Sequence, residues 1–227
     1  MSEHLLEELG ACQRCSRLLV HRAALAPRRG LSLEGYHNGP VPGFGDPNAR
    51  VFLVGLAPGA HGANRTGRPF TGDGAGDFMY PLLHQAGFSN QAEAYAPDDG
   101  LQLRDLYISN AVKCLPPANK PQGAEFANCR PYLLAEQKRL KRLKVVILLG
   151  RGAFDSYLRL YYDLGVIRRL KDYPFHHGAV YPLPGGPDLV ACYHTSRYNV
   201  QTGRMTSALF LDLLARVRQL LERSPGG

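Results

Sequence analysis

Four short runs of apolar residues punctuate the chain: residues 51–55 (VFLVG), 106–110 (LYISN), 145–150 (VVILLG) and 189–193 (LVACY). Their β-branched and aromatic content, with no polar alternation, predicts strands buried on both faces. Between them lie segments of helical character at 77–86 (DFMYPLLHQA), 125–143 and 153–162. Pro81 must either kink the first of these or sit in its first turn. The tail at 206–221 (TSALFLDLLARVRQLL) is amphipathic. Leu209, Phe210, Leu213, Leu214, Val217, Leu220 and Leu221 fall on one stripe, with Asp212, Arg216 and Arg218 off it. Alternating strand and helix predicts a mostly parallel sheet covered by helices on both faces, with right-handed crossovers. Segments 89–100 and 181–188 read as surface loops. With no internal repeat and no low-complexity linker, residues 1–227 are expected to form one domain.

The pattern also says where to look for chemistry. The loops after the first, second and fourth runs, GLAPGAHGANRTGRPFTGD, AVKCLPPANKP and HTSRYNVQTGR, are rich in Gly, Pro and polar residues. All three leave the carboxyl ends of parallel strands, where sheets of this class bind ligands. They are expected to meet at one edge and form one site.

Composition narrows the partner. The 227 residues are 44% hydrophobic and 20% charged, as in a globular domain. No apolar run approaches the ~20 residues that span a bilayer, so no membrane association is expected. The first residues, MSEHLLEELGACQRC, lack the pattern of a signal peptide, and a cytoplasmic protein is expected. A net charge of +8 favours a polyanionic partner such as nucleic acid. The basic cluster Lys138, Arg139, Lys141, Arg142 and Lys144 reads first as a solvated helix face, with phosphate contact as the alternative.

Five cysteines are present. Cys12 and Cys15 form a C-x2-C pair, and Cys114 and Cys129 lie in a loop-then-helix stretch punctuated by Pro116, Pro117 and Pro121. Four thiolates suit a structural zinc ion or an iron–sulfur cluster, and the residues alone do not separate the two. Four ordinary reduced thiols are the simpler alternative. Cys192, inside the fourth run, reads as a small core residue.

Several of these motifs carry a family likeness. GLAPGAHGANRTGRPFTGD (55–73) resembles the first active-site motif of the family 5 uracil-DNA glycosylases, and HTSRYNVQTGR (194–204) resembles their second. VPGFGDP (41–47), KCLPPANKP (113–121) and the four cysteines fit the same family, in the same order, over almost the whole chain. The resemblance implies a three-layer α/β/α fold with a four-stranded, mostly parallel sheet. It implies a [4Fe-4S] cluster on Cys12, Cys15, Cys114 and Cys129. It further implies a monomeric, nucleoid-associated enzyme that hydrolyses uracil and other deaminated bases from DNA.

The motif positions then acquire roles. Asp73 matches the motif carboxylate, placed to orient or deprotonate a water; the other reading is a helix cap. Asp77, the rival acid, reads as a first-turn helix residue. His194 is expected to donate a hydrogen bond to a carbonyl oxygen of the leaving base. Phe70 would stack on the everted base, and Asn110 would read its edge, with Asn119 as a secondary candidate. An Asn at position 110 resembles the related family 4 enzymes, whereas family 5 members can carry a small residue there. This departure tilts the expected preference toward uracil. The turn Gly59, Ala60, His61 would bring backbone close to base and water. Arg197, Tyr198, Asn199 and Val200 are expected to enter the gap that the base vacates. The motifs hold no catalytic Lys, so hydrolysis to an abasic site is expected rather than lyase chemistry. An electron-transfer protein or a phosphate-holding scaffold would be the competing classes, although the GLAPG turn lacks a P-loop's Lys-Ser/Thr ending.

Overall fold

A computed structural model of the protein describes residues 2–222. Among these residues, six strands form one sheet: β1 (Phe44–Gly45), β2 (Val51–Gly55), β3 (Leu106–Asn110), β4 (Val145–Leu149), β5 (Val180–Pro182) and β6 (Asp188–Cys192), in the spatial order β1-β3-β2-β4-β6-β5. The four runs read from the sequence are the central parallel strands, β3-β2-β4-β6. The expectation of four strands is corrected to six, because β1 and β5 add an antiparallel strand at each edge. Neither carries a periodic signal. The first has two residues, and the second ends in Pro182, a residue tolerated only at a sheet edge, so its 181–182 portion read as loop.

Among the described residues, eight α-helices accompany the sheet: α1 (Ser2–Glu7), α2 (Ser16–Ala23), α3 (Ala63–Thr66), α4 (Gly74–Gln85), α5 (Gly123–Arg139), α6 (Gly150–Asp163), α7 (Arg197–Gln201) and α8 (Ser207–Glu222). Successive strand residues face opposite ways and bury against different helices. Leu53, Ile108, Ile147 and Val190 pack with Met79 and Leu83 of α4 and Phe210 and Leu214 of α8. Phe52, Val54, Val146 and Leu148 pack with Leu133 of α5 and Phe154 and Tyr157 of α6. Both faces are covered, which is why the strands read as continuous apolar runs.

Helix ends depart from the periodic pattern where side chains cap them. A capping box between Gln122 and Glu125 starts α5 at Gly123, and the helix ends at Arg139, short of residue 143. The Thr206 hydroxyl accepts from the Leu209 N–H and caps α8. Leu209 itself is 38% exposed and lies off the buried stripe. Pro81 lies within α4, past its first turn. The basic residues 138, 139, 141, 142 and 144 are exposed near the C-terminus of α5, where cations complement the helix dipole. They precede β4, at the sheet edge opposite the site.

Two N-terminal helices complete the structure. Arg17 of α2 makes a bidentate pair with Glu125, both contacts 2.7 Å, and Leu18 buries against Val112 and Cys129. This docks the C-x2-C pair beside the second cysteine pair.

Candidate active site

The parallel register brings the motif loops out side by side. Gly55 pairs with Asn110 at the last position of the β2–β3 ladder. The two loops then continue together, the Ala111 N–H donating to the Gly55 carbonyl and the Val112 N–H to the Leu56 carbonyl. With the loop after β6, they enclose a cavity of about 400 Å³. Gly59, Phe70, Asp73, Asn110, Asn119 and His194 all contribute to its wall. The convergence expected from strand order is present.

Asp73 caps a helix and also lines the cavity. It is the N-cap of α4, its Oδ1 accepting from the Ala75 and Gly76 N–H groups at 3.1 Å each. The helix N-terminus favours a negative charge there. Oδ2 receives no protein donor among the described residues and lies against the turn at Gly59 and Gly62. A Cβ on Gly62 would stand 2.1 Å from Oδ2, so only glycine lets that oxygen occupy its place. Asp77 is exposed in the first turn of α4 and reaches only the outer mouth of the site.

His194 follows β6 by two residues and is braced through its carbonyl, which accepts from Asn199 Nδ2 at 2.8 Å. Burial pushes its imidazole down to about 4, so the ring is neutral at pH 7. Its Nδ1 is buried without a hydrogen-bond partner. The ring centroid lies 6.3 Å from that of Phe70.

Phe70 is 6% exposed and has a φ of 54°, the left-handed region that a bulky side chain avoids. Its carbonyl oxygen presses on α4 so closely that a Cβ on Gly76 would stand 1.7 Å away. Asn110 is 2% exposed, and its Oδ1 has no hydrogen-bond partner. A buried amide oxygen left unpaired in the wall of a cavity has the position of a ligand-reading group. Asn119 sits at φ 54° in a short 3-10 turn (Pro117–Asn119).

Of the other expected residues, Arg197 also reaches the wall of the main cavity, and the rest lie elsewhere. Ala60 and His61 are outside the wall of the main cavity; His61 borders the outer mouth, its Nδ1 3.0 Å from the Tyr36 hydroxyl. The group 197–200 divides. Arg197 and Tyr198 are exposed, Tyr198 at 72%. Asn199 instead turns inward to hold His194, and Val200 packs against the core. A short helix with its N-cap at Ser196 makes the division, because it sends neighbouring side chains in different directions. Sequence reasoning assigned no role to Arg68, although it lies inside the first motif, or to Asp99, which lies outside the motifs and pairs with it.

Cys12, Cys15, Cys114 and Cys129 line one small apolar hole beneath the loop that follows β3. Among the described residues, no three of His, Cys, Asp or Glu are grouped as a single metal ion requires. The hole suits sulfur ligation in other respects. The Lys113 N–H donates to Cys129 Sγ at 3.5 Å, and Asn128 Nδ2 to Cys15 Sγ at 3.4 Å. Burial, with repulsion among the sulfurs added, pushes Cys114 up to about 12 and Cys129 up to about 11, which works against ligation until a bound cation draws off the thiol protons. Cys192 is buried in the core, as read from the sequence. No helix among the described residues is long and apolar enough to cross a membrane.

Comparisons with known proteins show the family of the chain. The family model described as "Uracil DNA glycosylase superfamily" matches residues 42–218. A type-5 uracil-DNA glycosylase of Thermus thermophilus is 48% identical over 219 residues, covering 96% of this chain and 97% of the relative. Type-5 uracil-DNA glycosylases of Mycobacterium leprae and Pyrobaculum aerophilum are each 39% identical, covering 94% of this chain and 93% and 91% of the relatives. The chain belongs to the uracil-DNA glycosylase superfamily, among its type-5 members.

Proposed function

We propose that this protein hydrolyses the N-glycosidic bond of uracil in DNA and leaves an abasic site. One observation carries the reading: a single cavity holds a carboxylate with one free oxygen, a neutral imidazole, an aromatic ring and an unpaired amide oxygen, on three loops from the sheet edge.

The scissile bond lies inside the duplex, so the nucleotide must first rotate outward, which a mispaired base makes easier. The everted pyrimidine enters the cavity, lies against Phe70 and presents its edge to Asn110. As the bond between C1′ and the ring nitrogen breaks, its electron pair leaves with the base. His194 stabilises that developing charge by donating a hydrogen bond to a base carbonyl oxygen. The sugar becomes cationic and takes the oxygen of a water held by Asp73 Oδ2. The carboxylate accepts the water's proton, which then passes to solvent or to the departing uracil anion. Arg197 and Tyr198, the exposed pair of the second motif, face the duplex, with Tyr198 filling the vacated gap.

Asn110 favours pyrimidines with a carbonyl and an N–H at neighbouring positions, so uracil is the principal substrate and other deaminated bases are secondary. Cys12, Cys15, Cys114 and Cys129 are the residues that would hold a [4Fe-4S] cluster. The four thiols around one hole and the donors aimed at two sulfurs support sulfur ligation, and the choice of iron over zinc rests on the resemblance to type-5 enzymes. When bound, the cluster supplies a cross-link that ties the N-terminal helices to the loop after β3.

The test is incubation with a uracil-bearing oligonucleotide followed by alkali. Strand breaks at the uracil position support the reading. An intact strand, with the protein folded and in molar excess, overturns it.

A further inference from the structure

We infer that Arg68 and Asp99 form a positioning pair that fixes the plane of Phe70 against the substrate base; this rests on the glycosylase reading above. Arg68 and Asp99 have side chains only 4% and 10% exposed and meet in a bidentate contact, Nη1 to Oδ1 at 2.8 Å and Nη2 to Oδ2 at 2.6 Å. Neither residue lines the cavity. The pair is nonetheless built to a greater degree than a loop tie needs.

Asp99 organises its own loop. Its Oδ2 accepts from the Tyr95 and Ala96 N–H groups at 2.8 and 3.2 Å, and its Oδ1 from the Leu101 N–H at 3.0 Å. A carboxylate with this many donors is fixed in place. It presents a rigid anion to a guanidinium whose remaining Nε donates to Thr71 Oγ1 at 2.8 Å. Arg68 and Thr71 bracket Phe70 in the chain. The intervening carbonyl of Pro69 accepts from the Tyr80 hydroxyl at 2.8 Å, and the Thr66 hydroxyl reaches the carbonyls of Arg68 and Thr71 at 3.2 and 3.3 Å.

Phe70 therefore holds an unfavourable backbone conformation inside a turn whose neighbouring carbonyls are each held by a side chain. Relaxing φ toward negative values would rotate the ring away from the cavity. Two links tie this turn to other parts of the fold: the Tyr80 hydroxyl from α4 holds the Pro69 carbonyl, and the Arg68–Asp99 contact holds the side that precedes Phe70. A planar fork cannot be replaced by an ammonium without losing one of its two bonds. Arg68→Lys keeps the charge but loosens the turn.

The test is a double-mutant cycle read by single-turnover release of uracil, with melting temperature and DNA affinity measured on each variant. Arg68→Lys is expected to slow release about 10- to 100-fold while DNA affinity changes less than about twofold, because a small misplacement acts on the reacting geometry. In the Phe70→Ala background the same substitution is expected to cause no further loss, since its effect passes through the ring. Equal fold-losses in both backgrounds would show a general structural role and overturn the inference, as would full activity of Arg68→Lys. Should Arg68→Lys melt below the assay temperature, Asp99→Asn in the same two backgrounds decides by the same criterion. Absence of uracil release from the unsubstituted protein would instead remove the glycosylase reading itself.

Discussion

Asp73 sits on two lines of argument, and a pair of substitutions separates them. Asp73→Asn retains an acceptor oxygen for the Ala75 and Gly76 N–H groups and removes the charge; Asp73→Ala removes both. Loss of an N-cap costs about 1 kcal/mol. For a chain of 227 residues this lowers the melting temperature by about 2–4 °C. The catalytic loss is larger. Opposite charges about 4 Å apart at an effective dielectric near 20 attract by about 4 kcal/mol, a rate factor of about 10³. The sugar carries less than a full charge at the transition state, so about 10²- to 10³-fold is expected for either variant. The assay is single-turnover release from a uracil-containing duplex with enzyme in excess, beside thermal melting. Both variants should lose activity alike, and Asp73→Ala should lose more stability than Asp73→Asn, which gives up only the charge at the helix N-terminus. Release by Asp73→Asn within about tenfold of the unsubstituted protein would remove the carboxylate from the chemistry. An Asp73→Asn protein as unstable as Asp73→Ala would refute the capping argument.

Four further outcomes follow from the same geometry. Asn110→Ala should slow uracil release more than hypoxanthine release, since it deletes the buried, unpaired amide in the cavity wall; equal losses in a competition assay would deny it a reading role. Tyr198→Ala should reduce release from duplex DNA about tenfold and from single strands little, since only the duplex has a gap to fill; equal losses on both would reject the wedge assignment. The imidazole of His194, depressed from its ordinary value to about 4, should titrate near pH 4 by NMR. The unfolded chain then binds more protons between about pH 6.5 and 4, so His194 makes stability fall as pH falls through that window, and His194→Gln should flatten this slope. Protein purified anaerobically should contain iron and inorganic sulfide in equal amounts and lose both in Cys114→Ala; stoichiometric zinc without sulfide would replace the cluster with a single ion.

Much of the fold was legible because the central strands are buried on both faces, which forces apolar runs at 51–55, 106–110 and 145–149 whatever the loops do. The edge strands were not legible. Phe44–Gly45 is too short for any period, and Val180–Pro182 carries the residue that usually marks a turn. Site residues in contiguous motifs, Phe70, Asp73 and His194, could be placed because strand topology brings their loops to one edge. The orientation of 197–200 could not be read, since it depends on where Ser196 starts a one-turn helix. Asp99 was read as part of a surface loop, PDDG, and no local rule links a turn aspartate to an arginine thirty-one residues away.

The supports missing from the sequence reading explain why the site can exist at all. Phe70 in a left-handed conformation costs about 1–3 kcal/mol. The unpaired Asn110 Oδ1 and His194 Nδ1 each forgo a further 1–3 kcal/mol of hydrogen bonding. None of these features would persist on an isolated loop. They are held because β2 and β3 end in register beneath them, α4 presses on the Phe70 carbonyl, and Asn199 and the Arg68–Asp99 contact fix the turns from behind. A flat base with polar edges is the kind of ligand that relieves such a site, since its ring covers an aromatic face while its edge pairs with groups the protein leaves unpaired. The same contacts that hold the shape of the cavity fix Asp73 in its wall, with Oδ1 tied to the start of α4 and Oδ2 against the turn at Gly59 and Gly62.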